Sequence, residues 1–221
     1  MLTVGDASKV AGGGYSPTLQ FWFQLRWSDR VVHCATRLSP DQSGYIHINT
    51  LEFLVLLVEF AAVIQWWRDA TEEEIQGVFP AGRPVCPLLL AKADNTVGLS
   101  WLHRAASSST QGRLLLPVYS ALLRLQEVGV VGEHLAGSLN DQADMISRPS
   151  DLSLSPSVLA DQLFQRYPSM KIWRRFQPTP EFLQLLGSSL FTKPSPTPLL
   201  LPSRLGQFAP VGSTISCLPT I

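Results

Sequence analysis

Apolar and polar positions change period several times along the chain, and the changes mark its elements. Leu2–Ser8, LTVGDAS, is a short extended run ending in polar residues, and Thr18–Trp27, TLQFWFQLRW, is a second, longer one. Between them the glycine-rich AGGGYSP reads as a turn. RVVHCATRL, from Arg30, reads either as a third strand or as part of a connection. Tyr45–Asn49 is extended. From Asn49 a nearly unbroken apolar run continues to about Asp69, too long for a strand and therefore a buried helix. TEEEIQGVFPAGRP is a polar connector in which Glu72–Glu74 are solvated surface. Val85–Ala93, VCPLLLAKA, is a continuous apolar run of strand length, as expected of a strand covered on both faces.

The second half continues in the same way. TVGLSWLHRAA is a helix, ASSSTQG a loop, and RLLLPVYSALLRLQEVG a helix with a kink expected at Pro117. VVGEHLA is a strand and NDQADMISR a closing helix. The order is thus two or three strands, a helix, a strand, two helices, a strand and a helix. That order gives an α/β fold, a mixed sheet flanked by helices with its buried strands parallel. After Arg148 the composition turns to Pro, Ser and Leu. The expected division is a domain over 1–148, a linker region over 149–193 and a tail over 194–221. The linker should hold short helices near Ser157–Arg166 and Pro180–Ser188. The tail, from Pro194 onward, should be extended or partly disordered.

Composition narrows the function classes. Of 221 residues 45% are apolar, enough for one substantial domain. Residues 1–150 carry a charge balance of −3 and residues 151–221 one of +3, so no basic patch is large enough to hold nucleic acid by itself. Cys34, Cys86 and Cys217 are odd in number and far apart, and His33, His47, His103 and His134 are scattered. A zinc site is not expected, and the thiols read as free ones of an intracellular protein, cytoplasmic or nuclear. Leu51–Trp67 contains Glu52, Glu59 and Gln65. A carboxylate at mid-membrane costs roughly 2.5–3.5 kcal/mol, so a soluble core helix is expected there, with no membrane association. The start, MLTVGDASK, has no basic-then-apolar pattern of a secretory signal.

Four carboxylates stand out by position. Asp6 ends the first strand, where it can also be a turn residue bonding its own backbone. Glu52 lies three residues after Asn49, a spacing that also suits a capping box. Asp94 ends the buried strand and can serve as the N-cap of the next helix. Asp144 lies one turn after Asn140, itself a reasonable N-cap, so both face the same way. Four carboxylates converging at one sheet edge would repel each other unless divalent cations sat among them. Two such ions are what metal-assisted phosphodiester hydrolysis uses.

VGDASKVAGGGY, INTLEFLVLL, AKADNTVGLSW and HLAGSLNDQADMISR resemble, in order, the four signature blocks of ribonuclease H domains in retrotransposon reverse transcriptase polyproteins. The likeness covers about residues 1–148 and is greatest to DIRS-type elements, which encode a tyrosine recombinase, with gypsy-type elements next. DNT-x-x-L-S-W and G-x-x-N-x-x-A-D-x-x-S-R are its more specific parts. The resemblance implies the ribonuclease H-like fold: a five-stranded mixed sheet, three antiparallel strands then two parallel, with helices on both faces. It implies an endonuclease that hydrolyses the RNA strand of RNA–DNA hybrids with two Mg²⁺ or Mn²⁺ ions. Asp6 would bridge both ions, Glu52 and Asp94 would complete the side of the attacking water, and Asp144 would hold the second ion. Asn95, Asn140 and the serine of Asp6-Ala7-Ser8 would meet the substrate.

The likeness has gaps. Many ribonucleases H carry a mobile histidine before the last helix. Here Ser138 stands near that place and His134 lies on the preceding strand, so turnover is expected to be slow. No basic protrusion for gripping hybrids is visible, which leaves that work to the polymerase part of a polyprotein. The chain begins five residues before Asp6 with no polymerase motif, so a fragment of a larger element is expected, with a weak first strand. Two alternatives compete. One is a catalytically inactive ribonuclease H-like remnant serving as a structural or interaction module. The other is a transposase or integrase of the same superfamily, against which Glu52 on the first long helix speaks.

Overall fold

A computed structural model describes residues 1–107, 109–125, 127–148, 156–192, 198–209, 213 and 219–221. Among them are seven strands in one mixed sheet and eight α-helices, an α/β architecture. The strands are β1 (Leu2–Ala7), β2 (Ala11–Ser16), β3 (Phe21–Arg26), β4 (Leu88–Ala93), β5 (Gly129–His134), β6 (Arg174–Pro178) and β7 (Gly206–Ala209). Their order across the sheet is β5-β4-β1-β2-β3-β6-β7. β1, β2 and β3 form an antiparallel meander, while β4 and β5 lie parallel to β1 and to each other. β6 joins β3 in parallel and β7 closes antiparallel on β6. The sheet therefore has two strands more than the five expected.

The helices are α1 (Asp29–Thr36), α2 (Ile48–Asp69), α3 (Glu72–Val78), α4 (Thr96–Arg104), α5 (Thr110–Arg124), α6 (Asp141–Ser147), α7 (Pro156–Arg166) and α8 (Pro180–Ser189). α2 is the one helix among the described residues long and apolar enough to cross a membrane, and it is almost wholly buried inside this protein. It lies across one face of the sheet in the main core, with Phe21, Phe23 and Leu25 of β3, Trp101 of α4 and Tyr119 of α5. A smaller cluster on the opposite face joins Trp22 to Ile146 of α6, to Ala160 and Leu163 of α7, and to Met170.

Four expectations change. AGGGYS is a strand, because its glycines are wanted for their missing side chains and not for turning. A Cβ at Gly12 would come within 2.6 Å of Trp27, one at Gly13 within 2.3 Å of Ile146 Cγ2, and one at Gly14 within 2.8 Å of Glu59 Oε1. The turn falls instead at Ser8–Val10, where the Ser8 hydroxyl accepts from the amides of Val10 and Ala11. Residues 29–36 are a helix, capped by Ser28, with Val31, Cys34 and Ala35 buried at helical spacing. The polar connector holds α3, closed by a capping box between Thr71 and Glu74.

The fourth change concerns the chain beyond Arg148. The two expected helices are there as α7 and α8, but β6 lies between them and extends the sheet, and Gly206–Ala209 of the expected tail is a strand. Residues 194–197, 210–212 and 214–218 of that tail, Cys217 among them, lie outside the described residues. Phe176, Phe182, Leu186 and Leu205 are fully buried in the main core. The first strand, expected to be weak, is paired on both sides, and the Met1 ammonium donates to the Leu88 carbonyl at 2.8 Å.

Two outcomes follow for stability. Gly13→Ala forces apart β2 and α6 and should cost about 1–3 kcal/mol, read as a lower midpoint in denaturant. Ending the chain at Arg148 removes Phe176, Phe182, Leu186 and Leu205 together with buried Met170 and Leu190, each contributing roughly 1.5–3 kcal/mol. Residues 1–148 alone should unfold at markedly lower denaturant concentration than the full chain. Equal midpoints would make residues 149–221 an appendage.

Candidate metal centre

β1 and β4 are adjacent and parallel, so their C-terminal ends lie side by side. Asp6 is on β1 opposite Gly13 of β2, with 1% of its surface exposed. Asp94 follows the last residue of β4 and is half-buried. Glu52, in the second turn of α2, enters from the helix above and is buried. One carboxylate oxygen from each of Asp6, Glu52 and Asp94 lies within 4.8 Å of the other two. Such a trio of hard oxygen donors can hold a metal ion.

The alternative roles of these residues fall to their neighbours. Asn95, not Asp94, caps α4: its Oδ1 accepts from the amides of Val97 and Gly98 at 3.0 and 2.9 Å. Its Nδ2 donates to Asn49 Oδ1 at 2.8 Å, which ties α4 to the start of α2. His47 caps α2 through Nδ1, so Glu52 has no capping duty and instead accepts from the Ala7 amide. Ser8 holds the turn, so Asp6 is free to face the cluster. The Ser8 hydroxyl also donates to the Ser147 carbonyl at 2.7 Å, pinning β1 to α6.

Burial of like charges sets the protonation. Desolvation first, then the neighbouring Asp6, lifts Glu52 to about 9. Asp6 rises to about 6, mainly through desolvation, while the Ser147 hydroxyl bond and the Arg148 charge pull it back. In the bare cluster a proton on Glu52 therefore does what a cation would do, and a divalent ion binding there must release it.

Asp144 stands apart from this trio. It lies on α6, on the other face of the sheet from α2, with its side chain 40% exposed. Its Oδ1 takes an ion pair from Arg148 Nη2 at 2.9 Å, and the same nitrogen is 3.9 Å from Asp6 Oδ2. Ser147, which precedes Arg148, donates to Asp6 Oδ2. Three of the four expected carboxylates thus meet directly, and the fourth meets Asp6 only through Arg148. Ser147 and Arg148 were visible in the motif A-D-x-x-S-R, but nothing in the spacing foretold their contact with Asp6.

Asn140 sits at the N-cap position of α6 without capping it, 1% exposed, and neither Nδ2 nor Oδ1 has a partner among the described residues. Leaving such groups unsatisfied costs about 1–3 kcal/mol each. His134, at the end of β5, and Ser138 are exposed. His103 is occupied by Gly132, whose amide and carbonyl both lie 3.0 Å from Nε2.

Comparison with family models, with curated proteins and with solved structures finds no match.

Glu59, two turns after Glu52 on α2, is a fifth carboxyl, one that the sequence marked only as a charge too costly for a membrane span. It is fully buried, accepts from Thr3 Oγ1 at 2.9 Å, and fits because Gly5 and Gly14 leave it room. Desolvation raises it to about 8. In the unfolded chain it ionises near 4.5. Between those values the folded state binds the extra proton, so stability falls as pH rises, at a slope approaching about 1.4 kcal/mol per pH unit. Denaturant midpoints should drop between about pH 5 and 8, and drop less steeply in Glu59→Gln. Identical slopes would mean that Glu59 ionises freely.

Proposed function

We propose that this chain is a metal-dependent nuclease of the ribonuclease H type that hydrolyses the RNA strand of RNA–DNA hybrids. The observation that carries the reading is the meeting of Asp6, Glu52 and Asp94 at the ends of two adjacent parallel strands beneath the first long helix. The strand order supports it. Leaving aside β6 and β7, the series β3-β2-β1-β4-β5 has three antiparallel strands followed by two parallel ones, as the resemblance implies.

The donor set is chemically suited to Mg²⁺ or Mn²⁺: all oxygen, acidic, and with the Glu52 carboxyl held protonated first by burial and then by the Asp6 charge. Divalent ions would supply a water ionised near neutral pH and charge stabilisation for the leaving oxygen. Asp6 is the common member, facing Glu52 and Asp94 on one side and Ser147 with Arg148 on the other. Asp144, half-exposed at the rim, is the ligand best placed to face substrate phosphate.

Among the expected substrate contacts, Asn140 has an uncommitted amide, whereas Asn95 and Ser8 are engaged in capping and turning. Those two would shape the site from behind and leave hydrogen bonding to the substrate to others. Choice of the RNA strand would rest on its 2′-hydroxyls and on groove shape. The −3 balance over residues 1–150 makes an attached or associated polymerase the natural holder of the hybrid.

A second reading, a ribonuclease H-like remnant kept as an interaction module, draws on the ion pair that withholds Asp144 from the trio. A labelled RNA–DNA hybrid incubated with the chain in Mg²⁺, Mn²⁺ or EDTA separates the two. Metal-dependent cutting of the RNA strand alone is expected. Asp94→Asn should reduce it by about a hundredfold or more while leaving the circular dichroism spectrum unchanged, since support residues alone are worth roughly 10–100-fold. A fully active Asp94→Asn protein would sink the assignment, and a folded but inactive wild type would favour the remnant.

A further inference from the structure

The Arg148 guanidinium lies beside both Asp6 and Asp144, the two carboxylates that the resemblance would have share a second cation. It caps the C-terminal end of α6, and its backbone amide donates to the Asp144 carbonyl at 2.9 Å. Its side chain turns back one turn, so that Nη2 is 2.9 Å from Asp144 Oδ1 and 3.9 Å from Asp6 Oδ2. A cation shared by these two carboxylates would have to compete with this guanidinium for the same oxygens. The Asp6 oxygen on that side also accepts from Ser147, which fixes the carboxylate toward α6.

The two sides of Asp6 are therefore charged differently. Toward Glu52 and Asp94 it faces two further carboxylates. Toward Asp144 the counter-charge comes from the Arg148 guanidinium.

We infer that Arg148 is the resident counter-ion of the Asp6–Asp144 pair and keeps the second metal position closed, so that the chain without nucleic acid takes one divalent ion and not two. The inference rests on the metal-centre reading and names the residue that sets its stoichiometry. Arg148 is a positioning residue here. Its side chain is 56% exposed, so it can leave the carboxylates without unpacking the core. The ligand that can draw it off is a phosphodiester, which a guanidinium engages with two parallel hydrogen bonds. Substrate arrival and opening of the second position would then be one event.

The test is a count of bound ions on the full chain, by Mn²⁺ titration with calorimetry and electron paramagnetic resonance, in the absence of nucleic acid. Wild type should bind one Mn²⁺ per chain. Arg148→Ala should bind two, and the double variant Arg148→Ala with Asp144→Asn should return to one. A wild type that binds two ions, or an Arg148→Ala chain that stays at one, overturns the role of Arg148 and leaves the nuclease reading standing. If neither wild type nor Arg148→Ala binds Mn²⁺ at the trio, with Asp94→Asn giving the same titration, the metal centre itself is lost and this inference with it.

Discussion

The acidic site depends on how closely two helices can approach the β1–β2 ribbon from opposite faces. On one face Val55 and Glu59 of α2 press toward Gly5, Gly12 and Gly14. On the other, Ile146 of α6 presses against Gly13. Any side chain at these four places would come within 2.1–2.8 Å of a heavy atom of a helix. Without that approach Glu52 would stand too far above Asp6, and Ser147 too far below it, for either to share its carboxylate. Packing density and chemistry are therefore set by the same residues. A strand made of glycine gives up some local preference for the extended state in return for contacts only a flat backbone permits.

How much of this could be read in the sequence differs from place to place. α2 was legible because 17 nearly continuous apolar residues leave a soluble chain few choices, and β4 because Leu88–Ala93 is apolar but for Lys92 and lies between Pro87 and Asp94. The helical spacing of Val31, Cys34 and Ala35 was legible too, but arginine, histidine and threonine around it blurred the pattern into a possible strand. AGGGYS was not legible. Glycine marks turns by its freedom and close contacts by its size, and only the tertiary partners Trp27, Ile146 and Glu59 reveal which applies. β6 and β7 were hidden for a similar reason. RRFQP and GQFA are short and carry proline, glycine and charge; the first is a strand because β3 offers it an edge, and the second because β6 then offers the next.

For the site, Asp6, Glu52 and Asp94 could be named individually because each ends a strand or opens a helix. Their meeting could not be derived from spacing, since it depends on β4 pairing with β1 across more than eighty residues of chain. The capping duties fall to other residues: to Asn95, next to Asp94, and to His47, two residues before Asn49. Asp94 and Glu52 both had plausible caps to make, and Asn95 and His47 make them instead. Two adjacent polar residues at a helix start can divide cap and ligand between them in either order, and only the geometry of the turn decides which.

α2 has 22 residues and so is about 33 Å long, running the depth of the molecule. At one end it carries Glu52. At the other, Gln65 accepts from the Leu205 amide at 2.9 Å and Asp69 takes the Arg204 guanidinium at 2.8 Å. Between them the helix lies in a bed cut to the shape of Val55 and Glu59, which resists rolling because a roll would lift both out of their hollows. The helix thus behaves as a rod keyed along its length. An axial slip that moved Glu52 away from Asp6 would also drag Gln65 off the Leu205 amide, so the segment carrying β7 acts as an end stop for the carboxylate at the far end.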